Sequence, residues 1–172
     1  MPVVPYRRQD AVAYALQWAL SYNPAYYNFS NLGGDCTNFI SQCVFAGAGV
    51  MNFTPNTGWY FLSLNNRAPA WTGVEEFYRF MTTNRGAGPF AEAVPLYKVE
   101  PGDVFQLNFN RPRFGHSLLV CEIIGGSFSS PAEFNPSRVL ISTHTDNARL
   151  RPLSSYYWHD IRLVHFLGVR RW

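Results

Sequence analysis

The chain has 172 residues, of which 47% are hydrophobic and 15% are charged. This length suffices for one domain with a sizeable core, and the composition excludes an intrinsically disordered chain. The net charge of +3 comes from arginines scattered along the chain, so no nucleic-acid partner is predicted. We therefore predict a single domain over residues 1–172.

The cysteine content and the apolar runs restrict the location and the cofactors of the protein. Three cysteines without a CxxC pair predict neither a disulfide framework nor a zinc knuckle. No apolar run approaches the roughly 18 residues of a membrane span, and residues 1–8 lack the apolar core of a signal peptide. We therefore expect no membrane span and no cofactor, and either a cytoplasmic protein or a mature or excised extracellular domain. The oligomeric state stays open.

Hydrophobic periodicity predicts three helices in the first half of the chain. The first covers residues 8–21, and the second runs from Cys36 to about Gly49, with apolar residues at spacings of three and four. A third helix is predicted over residues 72–83, where Thr72 and Glu75 form a capping-box pattern.

The stretch Gly33-Gly34-Asp35-Cys36 joins a loop to the second helix. A thiol at a helix N-terminus lies at the positive end of the helix dipole, which favours the thiolate. Asp35 is the predicted N-cap, and the free N–H groups of the first turn could hold an oxyanion. Cys36 is therefore a candidate nucleophile, although a free cysteine is more commonly a small core residue.

A long connection follows, from about residue 50 to residue 69. Loops of this length are uncommon unless they are functional or disordered, and the aromatic content of this one argues against disorder. We expect Trp59 and Tyr60 to line one wall of a substrate cleft.

From about residue 97 the hydrophobic period changes to two. Strands are predicted over residues 104–109, 115–124, 138–145 and 161–169. Helices come first and strands afterwards, without crossover helices, so the sequence predicts an α+β fold with an antiparallel sheet.

A thiol nucleophile needs a base, and histidine is the usual one near neutral pH. His116 lies at the start of the second predicted strand and shares a face with Leu118 and Val120. A side chain at a strand start can extend past the sheet edge towards a helix terminus. His116 is therefore the candidate base for Cys36.

The third predicted strand carries two candidates for the group that orients His116. His144 and Asp146 share one face of that strand, and either could fix the imidazole tautomer. Asp146 could instead belong to a turn after the strand. A zinc site formed by Cys36, His116, His144 and Asp146 is disfavoured, because no two of them have a short ligand spacing.

Four segments together resemble a known family: Asp35-Cys36-Thr37-Asn38-Phe39-Ile40, Pro101-Gly102-Asp103-Val104-Phe105, Gly115-His116-Ser117 and Ile141-Ser142-Thr143-His144. Their order is similar to that of NlpC-type papain-like cell-wall peptidases. Within that group the chain more closely resembles the bacterial "putative amidase domain" family, over nearly its whole length. The GDCTNF stretch is the most specific part of the similarity.

The resemblance implies a papain-like fold with a Cys-bearing helix packed against an antiparallel sheet. It implies roles for Cys36 as nucleophile, His116 as base and His144 as third polar group, with Asp146 as the alternative to His144. Asp35 would support the oxyanion site. The implied activity is amide hydrolysis through an acyl-thioester, with peptide links of bacterial peptidoglycan as substrate. An inactive binding module and a thiol acyltransferase are the alternatives.

Overall fold

The computed structural model describes residues 1–172 and has an α+β architecture. The helices are α1 (Arg8–Trp18), α2 (Cys36–Ala48), α3 (Pro69–Thr72) and α4 (Val74–Thr83). The strands are β1 (Val3–Val4), β2 (Phe61–Ser63), β3 (Asn66–Arg67), β4 (Gly88–Val94), β5 (Val104–Asn108), β6 (His116–Ile123), β7 (Val139–Thr143), β8 (Ala148–Pro152) and β9 (Asp160–Arg170). No helix has both the length and the hydropathy that crossing a bilayer requires.

Seven strands form one antiparallel sheet in the order β1-β9-β5-β6-β7-β8, and β4 also pairs with β9. Because β4 and β5 both pair with residues 163 and 164, they occupy opposite edges of β9. The long strand β9 thus joins the N-terminal strand to the central hairpin of β5 and β6. This confirms the predicted antiparallel sheet and α+β order.

The structure extends the predicted sheet and corrects some of its boundaries. The four predicted strands are present as β5, β6, β7 and β9, whereas β4 and β8 were not predicted. Strand β4 begins at Gly88 and β8 ends at Pro152, and neither has the alternating apolar pattern that marks a strand. They are strands because each forms backbone hydrogen bonds with the free edge of a neighbouring strand: β4 pairs with β9, and β8 pairs with β7.

The helices agree with the predicted positions more closely than with the predicted caps. Helix α2 begins at Cys36 and ends at Ala48, and the following Gly49 has a φ of 72°, the left-handed conformation that favours glycine after a helix end. The capping box is absent: α4 begins at Val74, and the hydroxyl of Thr72 instead accepts a hydrogen bond from Arg67. The carboxylate of Glu75 accepts from the backbone N–H of Phe114.

Alternation along β5 and β6 divides the buried residues between two faces of the sheet. Leu119 and Cys121 belong to the core shared with α1 and α2, whereas Leu118 and Val120 belong to a second core on the other face. Ser117 faces α2, and its hydroxyl lies 3.0 Å from that of Thr37. The face predicted for His116 from the strand pattern is thus the one opposite α2.

The Pro101-Gly102-Asp103 turn anchors α1 to the sheet. Asp103 is fully buried, and its carboxylate accepts from the guanidinium of Arg8 at 2.7 Å and contacts the His165 ring at 2.7 Å. It also accepts from the backbone N–H of Phe166. Removing this carboxylate would break contacts to α1, to the turn and to β9 at once, so we regard Asp103 as an anchor of the fold.

Candidate active site

The site is built around the loop that leads into α2. Gly33 and Gly34 have φ values of 85° and 103°, which residues with a side chain rarely adopt. These two residues turn the chain so that Asp35 is buried and α2 begins at Cys36. The backbone N–H groups of Cys36, Thr37 and Asn38 donate to no backbone carbonyl or capping side chain. The Thr37 N–H instead hydrogen-bonds to the sulfur of Cys36 and lowers the pKa of its thiol, which leaves the N–H groups of Cys36 and Asn38 without an acceptor.

Asp35 occupies the N-cap position, but its carboxylate does not cap the helix. One oxygen accepts from the backbone N–H of Phe29 at 2.8 Å and from the Asn38 amide at 2.9 Å. The other oxygen lies 2.5 Å from Nδ1 of His144. The predicted capping role of Asp35 is wrong, because these side-chain and loop contacts occupy the carboxylate. Asp35 instead fixes the loop that carries Cys36.

His144 is a partner of Asp35 and has no contact with His116. Its Nε2 lies 2.8 Å from the carbonyl oxygen of Trp18, at the end of α1. A carbonyl only accepts, so Nε2 carries a proton, and Nδ1 faces the Asp35 carboxylate. The ring stacks on Phe39, with centroids 4.0 Å apart. Both ring nitrogens are occupied, so His144 does not orient His116 in this arrangement.

The sulfur of Cys36 is almost enclosed: the residue is only 8% exposed. Burial raises the pKa of the Cys36 thiol, while hydrogen bonds from the Ser117 N–H and the Thr37 hydroxyl act in the opposite direction. Asp35 adds a smaller upward effect on that pKa. Desolvation is the largest of these influences, so the thiol, rather than the expected thiolate, is the resting form.

His116 begins β6, one residue before Ser117, whose N–H approaches the sulfur. No hydrogen bond joins its ring to Cys36, and its nitrogens are not among the fully enclosed unpaired atoms. Both nitrogens therefore keep some contact with solvent. Burial lowers the pKa of His116 to about 4, and the charge of Asp146 opposes that shift. The ring is neutral at pH 7, which is the form that a general base requires.

Asp146 lies in the turn between β7 and β8 rather than on the strand. Thr145 and Asp146 have φ values of 64° and 55°, and this turn was one of the alternatives for Asp146. The hydroxyl of Thr145 accepts from the backbone N–H of Asp35 at 3.0 Å. The turn thus contacts the Cys36 loop and also contributes the carboxylate whose charge acts on His116. The described side chains contain no group of three potential metal ligands.

Tyr156 is a residue of this site that the sequence did not indicate. Its ring centroid lies 6.0 Å from that of His116, and its hydroxyl is buried with no hydrogen-bond partner. A buried hydroxyl without a partner is costly, and a charged group close to this ring is the guanidinium of Arg151, 3.9 Å from the ring centroid. No sequence pattern marks Tyr156, because it lies in the irregular connection between β8 and β9.

Trp59 is a core residue and does not line a cleft. It is fully buried, its indole N–H donates to the Ser41 hydroxyl at 3.0 Å, and its ring packs on Trp71. The prediction failed because the long loop folds back over α2 and buries this ring. Tyr60 is half-buried, with its ring 5.5 Å from that of Phe53.

A sizeable cavity lies far from Cys36, near the other end of α2. It has a volume of about 520 Å³, and its lining includes Phe45, Gly49 and Trp172. Phe45 and Gly49 are at the C-terminal end of α2, whereas Cys36 is its first residue. At 1.5 Å per residue, roughly 13 Å of helix separates Phe45 from Cys36. We therefore locate the candidate site from the side-chain chemistry and not from cavity size.

The geometry is that of an α+β protein with a cysteine at a helix start and a neutral histidine at a neighbouring strand start. Comparison with known families agrees with this class. The family model described as "Putative amidase domain" matches residues 5–167, so the chain belongs to that family. The family description indicates hydrolysis of amide bonds in general and names neither a nucleophile nor a substrate.

One curated relative is the "Uncharacterized protein YhbB" of Bacillus subtilis (strain 168). It is 30% identical over 156 residues, which is 89% of this chain and 44% of the relative. The chain thus spans less than half of that protein. No solved structure matches this sequence.

Proposed function

We propose that the protein hydrolyses amide bonds with Cys36 as nucleophile and His116 as general base. The main support is the convergence of three features at the start of α2. The sulfur of Cys36 accepts a backbone hydrogen bond from Ser117, the first-turn N–H groups of Cys36 and Asn38 have no acceptor, and His116 at the neighbouring strand start is neutral with unpaired nitrogens.

In the proposed reaction, His116 takes the thiol proton as the sulfur attacks the amide carbonyl carbon. The N–H groups of the first turn of α2 stabilise the oxyanion. The C–N bond then breaks, and imidazolium donates its proton to the leaving amine, which leaves an acyl-thioester on Cys36. Water, deprotonated by His116, attacks the thioester carbon. The C–S bond then breaks, the Cys36 sulfur recovers the proton from imidazolium, and a carboxylic acid is released. The net reaction converts an amide and water into an acid and an amine.

The proposal requires the His116 ring to reach the sulfur. Ser117, whose backbone hydrogen-bonds to the sulfur, directly follows His116 in β6. The His116 ring itself packs beside Tyr156, on the face of the sheet opposite α2. The proposal therefore includes a movement of this strand start that turns the ring towards the sulfur. Catalytic hydrogen bonds commonly tighten only when substrate binds.

For the third catalytic group, the contacts favour Asp146 over His144. Asp146 is the carboxylate that raises the pKa of His116 against the effect of burial. It can therefore stabilise the imidazolium that forms during the reaction. His144, with both nitrogens engaged, has a supporting role through Asp35 in this proposal. A helix start facing an antiparallel sheet is also the arrangement expected of a papain-like, NlpC-type peptidase.

By the family resemblance, we propose peptide links of bacterial peptidoglycan as the substrate. The test is incubation of purified peptidoglycan with the protein, followed by measurement of new amino groups and mass spectrometry of the released fragments. Cys36→Ala is expected to abolish release. Cys43→Ala is the matched control, because Cys43 is fully buried in the same helix; it should retain release. Undiminished release by Cys36→Ala would contradict the mechanism.

The near-complete burial of Cys36 favours one alternative, a binding module that keeps the fold without turnover. Such a module would retain peptidoglycan in a pull-down equally well with Cys36 or with alanine, and it would form no thioester. Thiol acyl transfer is the other alternative. Added glycine amide would then yield acyl conjugates, detectable by mass spectrometry, in preference to the free acid.

A further inference from the structure

We infer that a buried hydrogen-bond chain, which begins at Arg162 and runs through Gln106, Ser117 and Thr37, donates towards the sulfur of Cys36. This inference rests on the proposed function, since it assigns positioning residues to the proposed nucleophile. The guanidinium of Arg162 donates to Oε1 of Gln106 from two nitrogens, at 2.9 and 2.7 Å. Nε2 of Gln106 then approaches the Ser117 hydroxyl at 3.2 Å.

The second half of the chain reaches the sulfur. The Ser117 and Thr37 hydroxyl oxygens are 3.0 Å apart, and the Thr37 hydroxyl lies 3.7 Å from Sγ of Cys36. Gln106 and Ser117 are fully buried, and Thr37 is 1% exposed. Solvent therefore cannot replace any of these contacts, and each polar group depends on its neighbour in the chain.

The donor direction follows from the chemistry of the first residue. Arginine has only donors, so the Gln106 carbonyl oxygen must face Arg162 and its amide nitrogen must face Ser117. A second contact requires the same orientation, because that nitrogen also donates to the Val74 carbonyl at 3.0 Å. The orientation of the Gln106 amide is thus determined twice.

The two hydroxyl protons follow from the same reasoning. Ser117 accepts from Gln106, and the one other hydroxyl contact of its oxygen is Thr37, so its proton has an acceptor only if it points to Thr37. The Thr37 proton then points to the sulfur. In this arrangement no hydrogen bond of the chain uses the thiol proton of Cys36, so a base can accept that proton. The thiolate that remains accepts from Thr37 and from the Ser117 N–H.

The chain offers a way to stabilise a buried thiolate that lacks a hydrogen-bonded histidine. Charge-assisted hydrogen bonds are stronger than neutral ones, and successive bonds polarise one another in a low-dielectric interior. The charged groups near the chain act in both directions. Asp35 disfavours the thiolate, whereas the Thr37 hydroxyl and the backbone of Ser117 and Thr37 favour it. The guanidinium of Arg162, at the far end of the chain, is paired with Glu75 at 3.4 Å.

The test measures the alkylation rate of Cys36 by iodoacetamide at pH 7 to 9, followed by mass spectrometry of the Cys36 peptide in the intact protein. Removing the hydroxyl in Thr37→Val is expected to raise the thiol pKa by about one unit, which slows alkylation about tenfold at a fixed pH. Thr37→Ser keeps the hydroxyl and should stay within about twofold of the wild type. Thr82→Val, in α4, is the matched control and should leave the rate unchanged.

Ser117→Ala provides a second, independent variant that interrupts the chain one residue further away. It leaves the Thr37 side chain beside the sulfur, so slower alkylation there does not come from a change in access. We expect a decrease in the same direction as for Thr37→Val, but smaller. Wild-type rates in Ser117→Ala, or equal slowing by Thr37→Ser and Thr37→Val, would overturn the inference.

These outcomes are separable from the fate of the proposed function, because alkylation needs no substrate. A loss of peptidoglycan cleavage in Cys36→Ala together with wild-type alkylation in Ser117→Ala would contradict the hydrogen-bond chain and support the proposed function. Slower alkylation in Ser117→Ala together with full cleavage by Cys36→Ala would support the hydrogen-bond chain and contradict the proposed function.

Discussion

Replacement of Asp35 by alanine is expected to reveal the largest single polar contribution to the site. The carboxylate is 1% exposed and is the partner of three donors: the Phe29 N–H, the Asn38 amide and the His144 ring. Breaking a buried pair from one side typically costs 3 to 5 kcal/mol, because the remaining partner is left uncompensated. We therefore expect Asp35→Ala to lower the free energy of unfolding by about 4 kcal/mol.

Urea denaturation followed by circular dichroism measures this loss. With an m-value near 2 kcal/mol/M, the midpoint should fall by about 2 M. The matched control is Asp10→Ala, since Asp10 pairs with Arg7 on the surface, where the side chains are 56% and 48% exposed. Such exposed pairs contribute about 1 kcal/mol or less. Equal losses for Asp35→Ala and Asp10→Ala would refute the assignment of Asp35 as the anchor of the Cys36 loop.

Two further predictions concern stability and its pH dependence. Trp59→Ala should lower the free energy of unfolding by about 3 to 5 kcal/mol in the same urea assay. Leu62 is 59% exposed, so Leu62→Ala should change the free energy of unfolding by about 0.5 kcal/mol or less. A loss of activity in Trp59→Ala without a loss of stability would restore the cleft prediction. The second prediction concerns His116, whose folded-state pKa of about 4 lies below its unfolded value. The unfolded chain therefore binds more protons than the folded chain between pH 6.5 and 4. The free energy of unfolding is expected to fall as the pH falls through that window. The full decrease is about 3 kcal/mol by the 1.36 kcal/mol per pKa unit; it should be largely absent in His116→Gln, and an identical pH dependence in that variant would contradict the assignment.

Local sequence patterns determined the elements on which the site is built. The apolar spacing after Gly33-Gly34 marked the start of α2 at Cys36, because helical periodicity and glycine conformational preference depend only on neighbouring residues. The period of two marked β6, with Ser117 and His116 on opposite faces. The antiparallel order followed from strands without crossover helices.

The partners of each polar side chain were decided by the tertiary structure. Asp35 and His144 are 109 residues apart in sequence, and no local pattern indicates that their side chains contact each other. The sequence pattern had instead placed Asp35 as the helix cap beside Cys36 and His144 as a partner of His116. The protonation state of Cys36 was also beyond the sequence. The helix dipole is a local property, whereas the desolvation that raises the pKa of Cys36 arises from residues packed around the sulfur from distant parts of the chain.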